Sequence, residues 1–389
     1  MSTTTSSPLY LDFNATTPVA PEVLEAMMPY LRWSWGNPSS DHALGREARR
    51  ALDEARGRVA ALIGASAEEI VFTSGGTESN HLAIRGVAAA RSVRRRRVVT
   101  TCVEHPATTG ACALLADQGW SVTRLRVTRD GVVDALDAGE LIGDDVALVS
   151  IMLAQNETGA LMPVGDVARV AHAHGAVIHT DAAQAVGKIE VNVDRLGVDL
   201  LSIAGHKLYA PKGVGALYVR AGTAIEPLVL GGGQERGLRP GTENVASIVG
   251  LGVAASVATT RVVHDGAVMA NLRDRLWAGL SAKVPEIVRH TPLEPCLPNT
   301  LLVSFPGVLG RDVLERADGL LASTGSACHS GVDTPAPTLL AMGVSPALAL
   351  GAVRLSLGRT TTREQVDAAV EILGGAYAAV SRRSSARPA

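Results

Sequence analysis

The sequence predicts an α/β protein built on a mainly parallel β-sheet, with a smaller α/β region towards its C-terminal end. Two observations indicate this fold class. Between residues 70 and 219, short apolar runs alternate with amphipathic helical stretches, and such alternation is typical of a parallel sheet covered by helices on both faces. The chain also has 389 residues, of which 47% are hydrophobic and only 3% aromatic. This length suits two domains, with cores made largely of Ala, Val and Leu.

Seven apolar runs, bounded by turn residues, are predicted to be the strands of the main sheet. They cover residues 70–73, 98–102, 121–127, 147–153, 177–179, 200–203 and 216–219. Apolar residues spaced three or four apart predict the helices. The helices cover residues 21–33, 42–63, 76–91, 107–118, 164–174, 243–260 and 268–280.

The smaller region is predicted from a strand over residues 300–305 and a helix over 364–380. We therefore expect residues 1–15 to be an N-terminal segment that packs with the small domain. Residues 16–260 would form the large domain, and residues 261–389 the small C-terminal domain.

Composition and charge exclude several classes of protein. A net charge of -2 argues against nucleic acid as the main partner. No uninterrupted apolar run approaches the roughly 18 residues of a membrane span, and no signal peptide is visible at the N-terminus. Four cysteines without paired spacing do not indicate a disulfide framework. We therefore expect a cytoplasmic protein with reduced thiols and no membrane partner.

Lysine is rare in this chain, which narrows the choice of a catalytic amine. The four lysines are at positions 188, 207, 212 and 283. Lys207 directly follows the apolar run 200–203, at the mouth of a predicted buried strand. Burial lowers the pKa of a lysine, and a readily deprotonated amine is what Schiff-base chemistry requires. Lys283 lies in a polar helical stretch, and Lys188 and Lys212 lie in Gly-flanked turns, so Lys207 is the candidate.

Polar groups also follow two other predicted strands. Gly76 and Thr77 open a helix after strand 70–73, and a helix N-terminus suits a phosphate group. The sequence there matches neither the P-loop nor the dinucleotide-binding motif. Asp181 follows strand 177–179 and could either hold a protonated pyridine nitrogen or cap a short helix over 182–187.

Three further groups have both a functional and an ordinary interpretation. His105, at another strand end, could stack on a planar cofactor or move protons, or be a plain loop residue. Cys328 lies in a loop of small residues, which suits an accessible nucleophile but also a surface thiol without a role. His172 and His174 are two residues apart on a helix and face different ways, so we predict no metal site.

Ten ordered blocks of this sequence resemble the cysteine desulfurase and selenocysteine lyase family, class V aminotransferase-like enzymes that use pyridoxal 5'-phosphate (PLP). The blocks are YLDFNATTP, GNPSS, FTSGGTESN, EH, NETG, HTDAAQAVGK, GHKLYAPKGVGALYVR, GGGQERGLRPGTEN, TGSACHS and RLSLGRTTT. The resemblance covers nearly the whole chain. It implies the aspartate aminotransferase-like fold of PLP-dependent transferases (fold type I), with the large domain binding PLP and the small domain carrying the Cys328 loop.

The resemblance also implies a role for each matching residue. Lys207 would carry the PLP imine and move the Cα proton. The other cofactor contacts would be Asp181 to the pyridine nitrogen, Gln184 to the ring oxygen, His105 stacked on the ring, and Gly76, Thr77 and His206 at the phosphate, joined by Thr242 from the other subunit of a homodimer. Substrate binding would fall to Asn37, Asn156 and Arg354, and Cys328 would take the sulfur as a persulfide.

The function implied is that of a cysteine desulfurase, which converts L-cysteine to L-alanine and passes the sulfur to an acceptor or scaffold protein. A selenocysteine lyase acting on L-selenocysteine is the alternative. Ala204, where many desulfurases have a phosphate-binding serine, and Cys328-His329-Ser330 favour this alternative. An aminotransferase or a non-catalytic sulfur carrier fits less well. The sequence does not choose between iron–sulfur cluster assembly, tRNA thiolation and selenium recycling as the pathway.

Overall fold

The computed structural model describes residues 8–91, 95–324, 327–329 and 332–385. The strands in this part of the chain are β1 (Leu9–Tyr10), β2 (Ile70–Thr73), β3 (Arg97–Thr101), β4 (Ser121–Leu125), β5 (Val146–Met152), β6 (Val177–Asp181), β7 (Leu200–Ala204), β8 (Gly215–Val219), β9 (Val288–Arg289), β10 (Thr300–Ser304), β11 (Leu320–Leu321), β12 (Ser323–Thr324), β13 (Ala327–His329), β14 (Val332–Thr334) and β15 (Ala352–Ser356).

The α-helices described are α1 (Pro21–Arg32), α2 (Ala43–Ile63), α3 (Gly76–Ala90), α4 (Pro106–Asp117), α5 (Ala135–Leu141), α6 (Val164–Ala173), α7 (Val193–Leu196), α8 (Val245–Lys283), α9 (Gly310–Arg316), α10 (Pro337–Ala341), α11 (Pro346–Leu350) and α12 (Arg363–Ser385). Short 3-10 turns cover Ala67–Glu69, Gly205–Lys207 and Gln234–Gly237.

The main sheet has seven strands in the order β2-β8-β7-β6-β5-β3-β4. β8 runs antiparallel to its neighbours β2 and β7, and the other adjacent pairs are parallel. All seven residues of β5 are buried, as expected for a central parallel strand with helices on both faces. The predicted fold class, with its mainly parallel seven-stranded sheet, is confirmed.

A second sheet of four strands, in the order β12-β15-β10-β9, is antiparallel throughout. Its hydrophobic core is separate from the core of the main sheet and includes Leu301, Val303, Val353 and Leu355 from β10 and β15, with Leu373 from α12. The C-terminal α/β region is therefore present, and it packs around its own sheet.

The structure has one long helix, α8, where the sequence predicts two. α8 runs unbroken over Val245–Lys283, across the interval between the predicted helices 243–260 and 268–280. Arg261, Val263 and His264, in this interval, are exposed, so the helix passes from one core to the other with much of its surface open to solvent. Its first half contributes Leu251 to the main core and its second half Leu276 to the smaller core.

Residue 260 therefore lies inside a helix, and the domain division at that residue stays a prediction. By length and composition α8 could also cross a membrane, since an 18-residue window has a mean hydropathy of 1.6. More than half of that window is buried against the rest of the protein, which is typical of a core helix.

The N-terminal segment joins the two sheets. β1 pairs in parallel with β11, and Asp12 forms a bridge with Ser356 at the end of β15. Leu11 is fully buried in the core of the smaller sheet. The next residues, Asn14 and Ala15, reach the edge of the main sheet. This segment therefore places backbone and side-chain groups between the two sheets.

Candidate active site

The carboxyl ends of the main-sheet strands surround a cavity of about 290 Å³. It lies where α/β sheets commonly bind ligands, outside the carboxyl ends of parallel strands. Its lining residues are Ala15, Gly76, Thr77, Asn80, His105, Met152, Ala154, Asn156, Asp181, Ala183, Gln184, Ala204, His206 and Lys207. Eight of the residues predicted for the site therefore line one cavity, although they come from five separate stretches of sequence.

Lys207 reaches this cavity from the 3-10 turn that follows β7. Its Nζ donates hydrogen bonds to the backbone oxygen of Asn14 and, at 2.6 Å, to that of Ala15. Burial and the positive charge of Arg354 lower the pKa of Lys207 to about 8, against the opposing effect of Asp12 and Asp181. A substantial fraction of this amine is neutral near physiological pH, so it can act as a nucleophile.

Two imidazoles flank the amine, and both favour their neutral form. Burial and the nearby Lys207 lower the pKa of His105, although Asp181 raises it. Burial, with the charge of Lys207 and Lys212, lowers the pKa of His206 to about 4. The Nδ1 atom of His105 accepts the backbone N–H of Ala107 at 3.1 Å, which caps α4. The neutral ring therefore carries its proton on Nε2.

Asp181 ends β6 and is held by two donors. Its Oδ2 accepts from Nδ2 of Asn80 at 2.6 Å, and its Oδ1 accepts from the backbone N–H of Ala183 at 2.9 Å. The residues that follow form turns, so the alternative of Asp181 capping a helix over 182–187 is wrong. A carboxylate fixed in this way can stabilise a cationic group in the cavity.

Gln184 belongs to a buried hydrogen-bond network with Asn14 and Lys188. Its Nε2 donates to the backbone oxygen of Asn14 at 3.0 Å, and its Oε1 accepts from Nζ of Lys188 at 2.7 Å. Lys188 lies in the predicted Gly-flanked turn, and it is only 6% exposed. The turn exists, but the lysine side chain points into the protein.

Arg354 lies on β15 of the smaller sheet and does not line the cavity directly. It forms an ion pair of 2.8 Å with Asp12 and donates to the backbone oxygen of Asn156 at 3.0 Å. Its Nε is buried, and among the described residues no partner for it is found. An arginine next to the cavity with a buried free N–H is suited to binding a carboxylate.

Two predicted site residues lie away from this cavity. Asn37 is exposed, and its Oδ1 accepts the backbone N–H of Ser39 at 2.9 Å. Thr242 is also exposed. Their neighbours Pro38 and Glu243 line a second cavity, of about 450 Å³. Within the single chain, neither Asn37 nor Thr242 lines the Lys207 cavity.

The backbone of Cys328 lies in β13, which pairs antiparallel with β14 so that Cys328 stands opposite Asp333. The predicted loop is thus in part a hairpin. The side chain of Cys328 lies outside the described part of the chain, as do residues 325, 326, 330 and 331.

Sequence reasoning missed several residues that support the site. Asn80, which holds Asp181, lies one helical turn after Thr77 in the FTSGGTESN block, and this spacing could have identified it. Glu104 is buried, and burial raises its pKa to about 8. Its Oε1 accepts from the backbone N–H of Met152, which links the ends of β3 and β5. No local signal in the sequence marks this contact.

His172 in the last turn of α6 and His174 directly after this helix have separate partners. His172 contacts Asp199 at 3.0 Å, and His174 contacts Asp144 at 2.7 Å. Each pair is exposed at least in part, and the two pairs share no residue.

Comparison with known proteins identifies the family. The family model described as aminotransferase class-V matches residues 9–369. Cysteine desulfurase IscS of Dictyoglomus turgidum is 45% identical over 94% of this chain and 93% of its own length. Cysteine desulfurase NifS of Azotobacter vinelandii is 46% identical over 92% of this chain and 90% of its own. A solved NifS-like protein has a TM-score of 0.89 at 39% identity, covering 95% of this chain and 98% of that one. The resemblance predicted from the sequence is confirmed, and the chain belongs to the aminotransferase class-V family.

Proposed function

We propose that this protein is a cysteine desulfurase that binds PLP in the Lys207 cavity and removes sulfur from L-cysteine to give L-alanine. The observation that carries this proposal is the grouping of an amine of pKa about 8 with a carboxylate, an amide and two neutral imidazoles in one cavity. The similarity to proteins named cysteine desulfurase supports the choice of reaction.

The donor set of the cavity fits PLP. Asp181 and the N-terminus of α3, where Gly76 and Thr77 lie, both face the cavity, so it offers an anionic group for a pyridinium and N–H groups for a phosphate. The amine of Lys207 can bond to the cofactor aldehyde. When bound, PLP supplies an electron sink that stabilises negative charge at the substrate Cα. Ala204 lines the same cavity without a hydroxyl, so the phosphate contacts would fall to Thr77 and His206.

The residues of this chain then have distinct tasks. Nζ of Lys207 takes the Cα proton in its neutral form and returns a proton to the product. Arg354 binds the substrate carboxylate, with Asn156 beside it, and Asp12 holds the guanidinium in place. His105 presents Nε2–H to the cavity, where it can stack on the ring and move a proton.

Cys328 is the proposed sulfur acceptor. Its thiolate attacks the substrate sulfur, so that an S–S bond forms as the bond between Cβ and sulfur of the substrate breaks. Cβ then gains a proton and becomes the methyl group of alanine. Burial raises the pKa of the three other thiols, that of Cys112 to about 11, so these stay protonated and are poor nucleophiles. A thiol of an acceptor or scaffold protein would then remove the outer sulfur of the Cys328 persulfide.

A homodimer is part of this proposal. Trp35 and Leu230 are 72% and 88% exposed, and they lie close in sequence to Pro38 and Gly233, which line the second cavity. Exposed large apolar side chains are typical of an interaction surface. Covering this surface with a second copy would let Thr242 join the phosphate contacts of the partner subunit. Free Cys102, Cys112 and Cys296 fit a reducing compartment such as the cytoplasm.

Product analysis tests the function directly. We expect the purified protein to be yellow and to form alanine from L-cysteine, and the Cys328→Ala variant to keep the colour but lose this activity. A keto acid in place of alanine would indicate an aminotransferase instead. Turnover of L-selenocysteine with little reaction of L-cysteine would indicate a selenocysteine lyase, provided that Cys328→Ala keeps the L-selenocysteine activity. The alanine at position 204, in place of a serine, favours this alternative.

A further inference from the structure

Lys188 is a buried lysine whose partners are amides. It is 6% exposed, and its Nζ donates to Oε1 of Gln184 at 2.7 Å and to Oδ1 of Asn14 at 3.1 Å. Within the described residues it has no ion pair with a carboxylate. An unpaired ammonium is costly to bury, so a buried lysine is retained only where its hydrogen bonds have a use. Burial and the charges of Lys207 and Arg354 lower its pKa well below the ordinary value, and a neutral amine has two N–H donors for these two oxygens.

These two contacts determine which end of the Gln184 amide faces which neighbour. Because Oε1 of Gln184 accepts from Lys188, the amide nitrogen Nε2 points the other way and donates one N–H to the backbone oxygen of Asn14. If the amide were flipped, its NH₂ group would face the N–H donors of Lys188. Its oxygen would face the backbone carbonyl oxygen of Asn14. Both contacts would then be lost, each between buried groups. The observed orientation leaves the second N–H of Nε2 available to the cavity that Gln184 lines.

We propose that Lys188 is a positioning residue, which fixes the side chain of Gln184 so that an amide N–H, and not the amide oxygen, is presented to the Lys207 cavity. The cavity thereby acquires a donor for an oxygen acceptor on the ligand bound there. That this ligand is PLP, with its ring oxygen as the acceptor, rests on the proposed function. The orientation of the amide does not.

The orientation can be measured in the cofactor-free protein. The chain has only five glutamines, so selective ¹⁵N labelling gives five side-chain amide groups, and Gln184→Ala assigns the one of interest. We expect Lys188→Met, which keeps the length of the side chain but removes its donors, to shift the Gln184 amide signals and to speed their hydrogen exchange. The signals of Gln155, buried in a separate network, should not move. Lys283→Met, which removes a surface lysine paired with Glu371, is the matched control. Unchanged Gln184 signals in Lys188→Met would overturn the proposal.

Titration of the cofactor-free protein with PLP tests the consequence for binding. We expect Lys188→Met to weaken PLP binding about tenfold, the effect of losing roughly one oriented hydrogen bond, and to shift the absorption maximum of the complex. In a Gln184→Ala background, the same substitution should have little further effect, because Lys188 acts through Gln184. Equal effects in both backgrounds would show a general structural role and overturn the proposal.

Gln184→Glu gives a second approach should Lys188→Met fail to fold. The carboxylate would pair with Lys188 and keep the fold, but it would present no N–H to the cavity. We expect a stable protein with weak PLP binding and a shifted absorption maximum, and unchanged binding would contradict the assignment. A wild-type protein that binds no PLP at all would overturn the proposed function alone, because the amide signals decide the role of Lys188 without the cofactor.

Discussion

The seven-stranded and four-stranded sheets supply the site in different ways. Groups on the main sheet lie at strand ends or directly after them, and their partners come from nearby elements and from the N-terminal segment. Asn80 of α3 holds Asp181, and Lys207 contacts the backbone of Asn14 and Ala15. Arg354 lies within a strand of the smaller sheet, and its partners Asp12 and Asn156 come from other parts of the chain. The proposed cofactor end therefore uses the strand ends of one sheet with the N-terminal segment, whereas the proposed substrate end also needs a side chain from the second sheet.

Lys207→Ala should have the largest effect, because it removes the only amine that lines the described cavity. We expect turnover to be abolished. Borohydride treatment of the wild-type protein should fix PLP to the peptide that contains residue 207, and this adduct should be absent from the variant. Finding the adduct on Lys188 or Lys212 would move the catalytic amine elsewhere, and Lys283→Ala serves as the control because Lys283 pairs with Glu371 at the surface.

Arg354→Ala should act on the substrate rather than on the cofactor. Losing the charged partner of a carboxylate costs about 2–3 kcal/mol, which is roughly a 30- to 150-fold rise in KM for L-cysteine. Arg354→Lys should recover only part of this, since an ammonium cannot replace the guanidinium fork. PLP affinity should change little in both variants.

The matched control is Asp12→Asn, which keeps an acceptor for Arg354 and for the hydroxyl of Ser323. We expect a smaller rise in KM than for Arg354→Ala. An unchanged KM in Arg354→Ala would show that the substrate carboxylate binds elsewhere. The smaller sheet would then not contribute to substrate binding through Arg354.

Asn14→Ala tests the connection between the two sheets. The Asn14 side chain is buried, accepts from Lys188 and Asn299, and donates to Thr300. Leaving these buried groups without partners should lower the free energy of unfolding by about 2–4 kcal/mol. Urea denaturation measures this, with the exposed Asn37→Ala as the control, expected within about 0.5 kcal/mol of wild type. Equal unfolding midpoints in the two variants would show that Asn14 does not couple the sheets.

The smallest effect expected is on the titration of Lys207. Its pKa is about 8, lowered by burial and by Arg354, against about 10.4 for a free lysine. The neutral amine is the reactive form, so labelling of cofactor-free protein by an amine reagent should rise with pH and reach half its maximum near pH 8. Removing a nearby positive charge in Arg354→Ala should raise this midpoint. A midpoint that does not move would mean that the smaller sheet does not influence the amine.

Local patterns in the sequence were sufficient for the main sheet and for its functional turns. Strand 70–73 and the turns at Thr77, His105, Asp181 and Lys207 could be placed because each signal lies within a few residues. α8 was predicted as two helices, since the helix continues through residues 261–267 to join two separate cores, and nearby sequence does not show this.

Long-range contacts explain the remaining misses. Lys188 lies in a Gly-flanked turn, and only the folded chain brings Asn14, 174 residues away, within hydrogen-bond distance of it. Asn37 and Thr242 are exposed and lie away from the cavity in the single chain, and the homodimer that would bring Thr242 to it is a proposal. Family resemblance named residues at the site, but it did not indicate the buried network that holds them.

In the proposed mechanism, residues at the main sheet activate the substrate, and Cys328, in the C-terminal part of the chain, takes its sulfur. Mass spectrometry of the protein after reaction with L-cysteine, without an acceptor thiol, tests this most directly, since the chain has only four cysteines. We predict one added, cyanide-labile sulfur on the peptide containing Cys328, and none in Lys207→Ala. Added sulfur on Cys102, Cys112 or Cys296, or alanine formation in Cys328→Ala equal to that of wild type, would contradict the account.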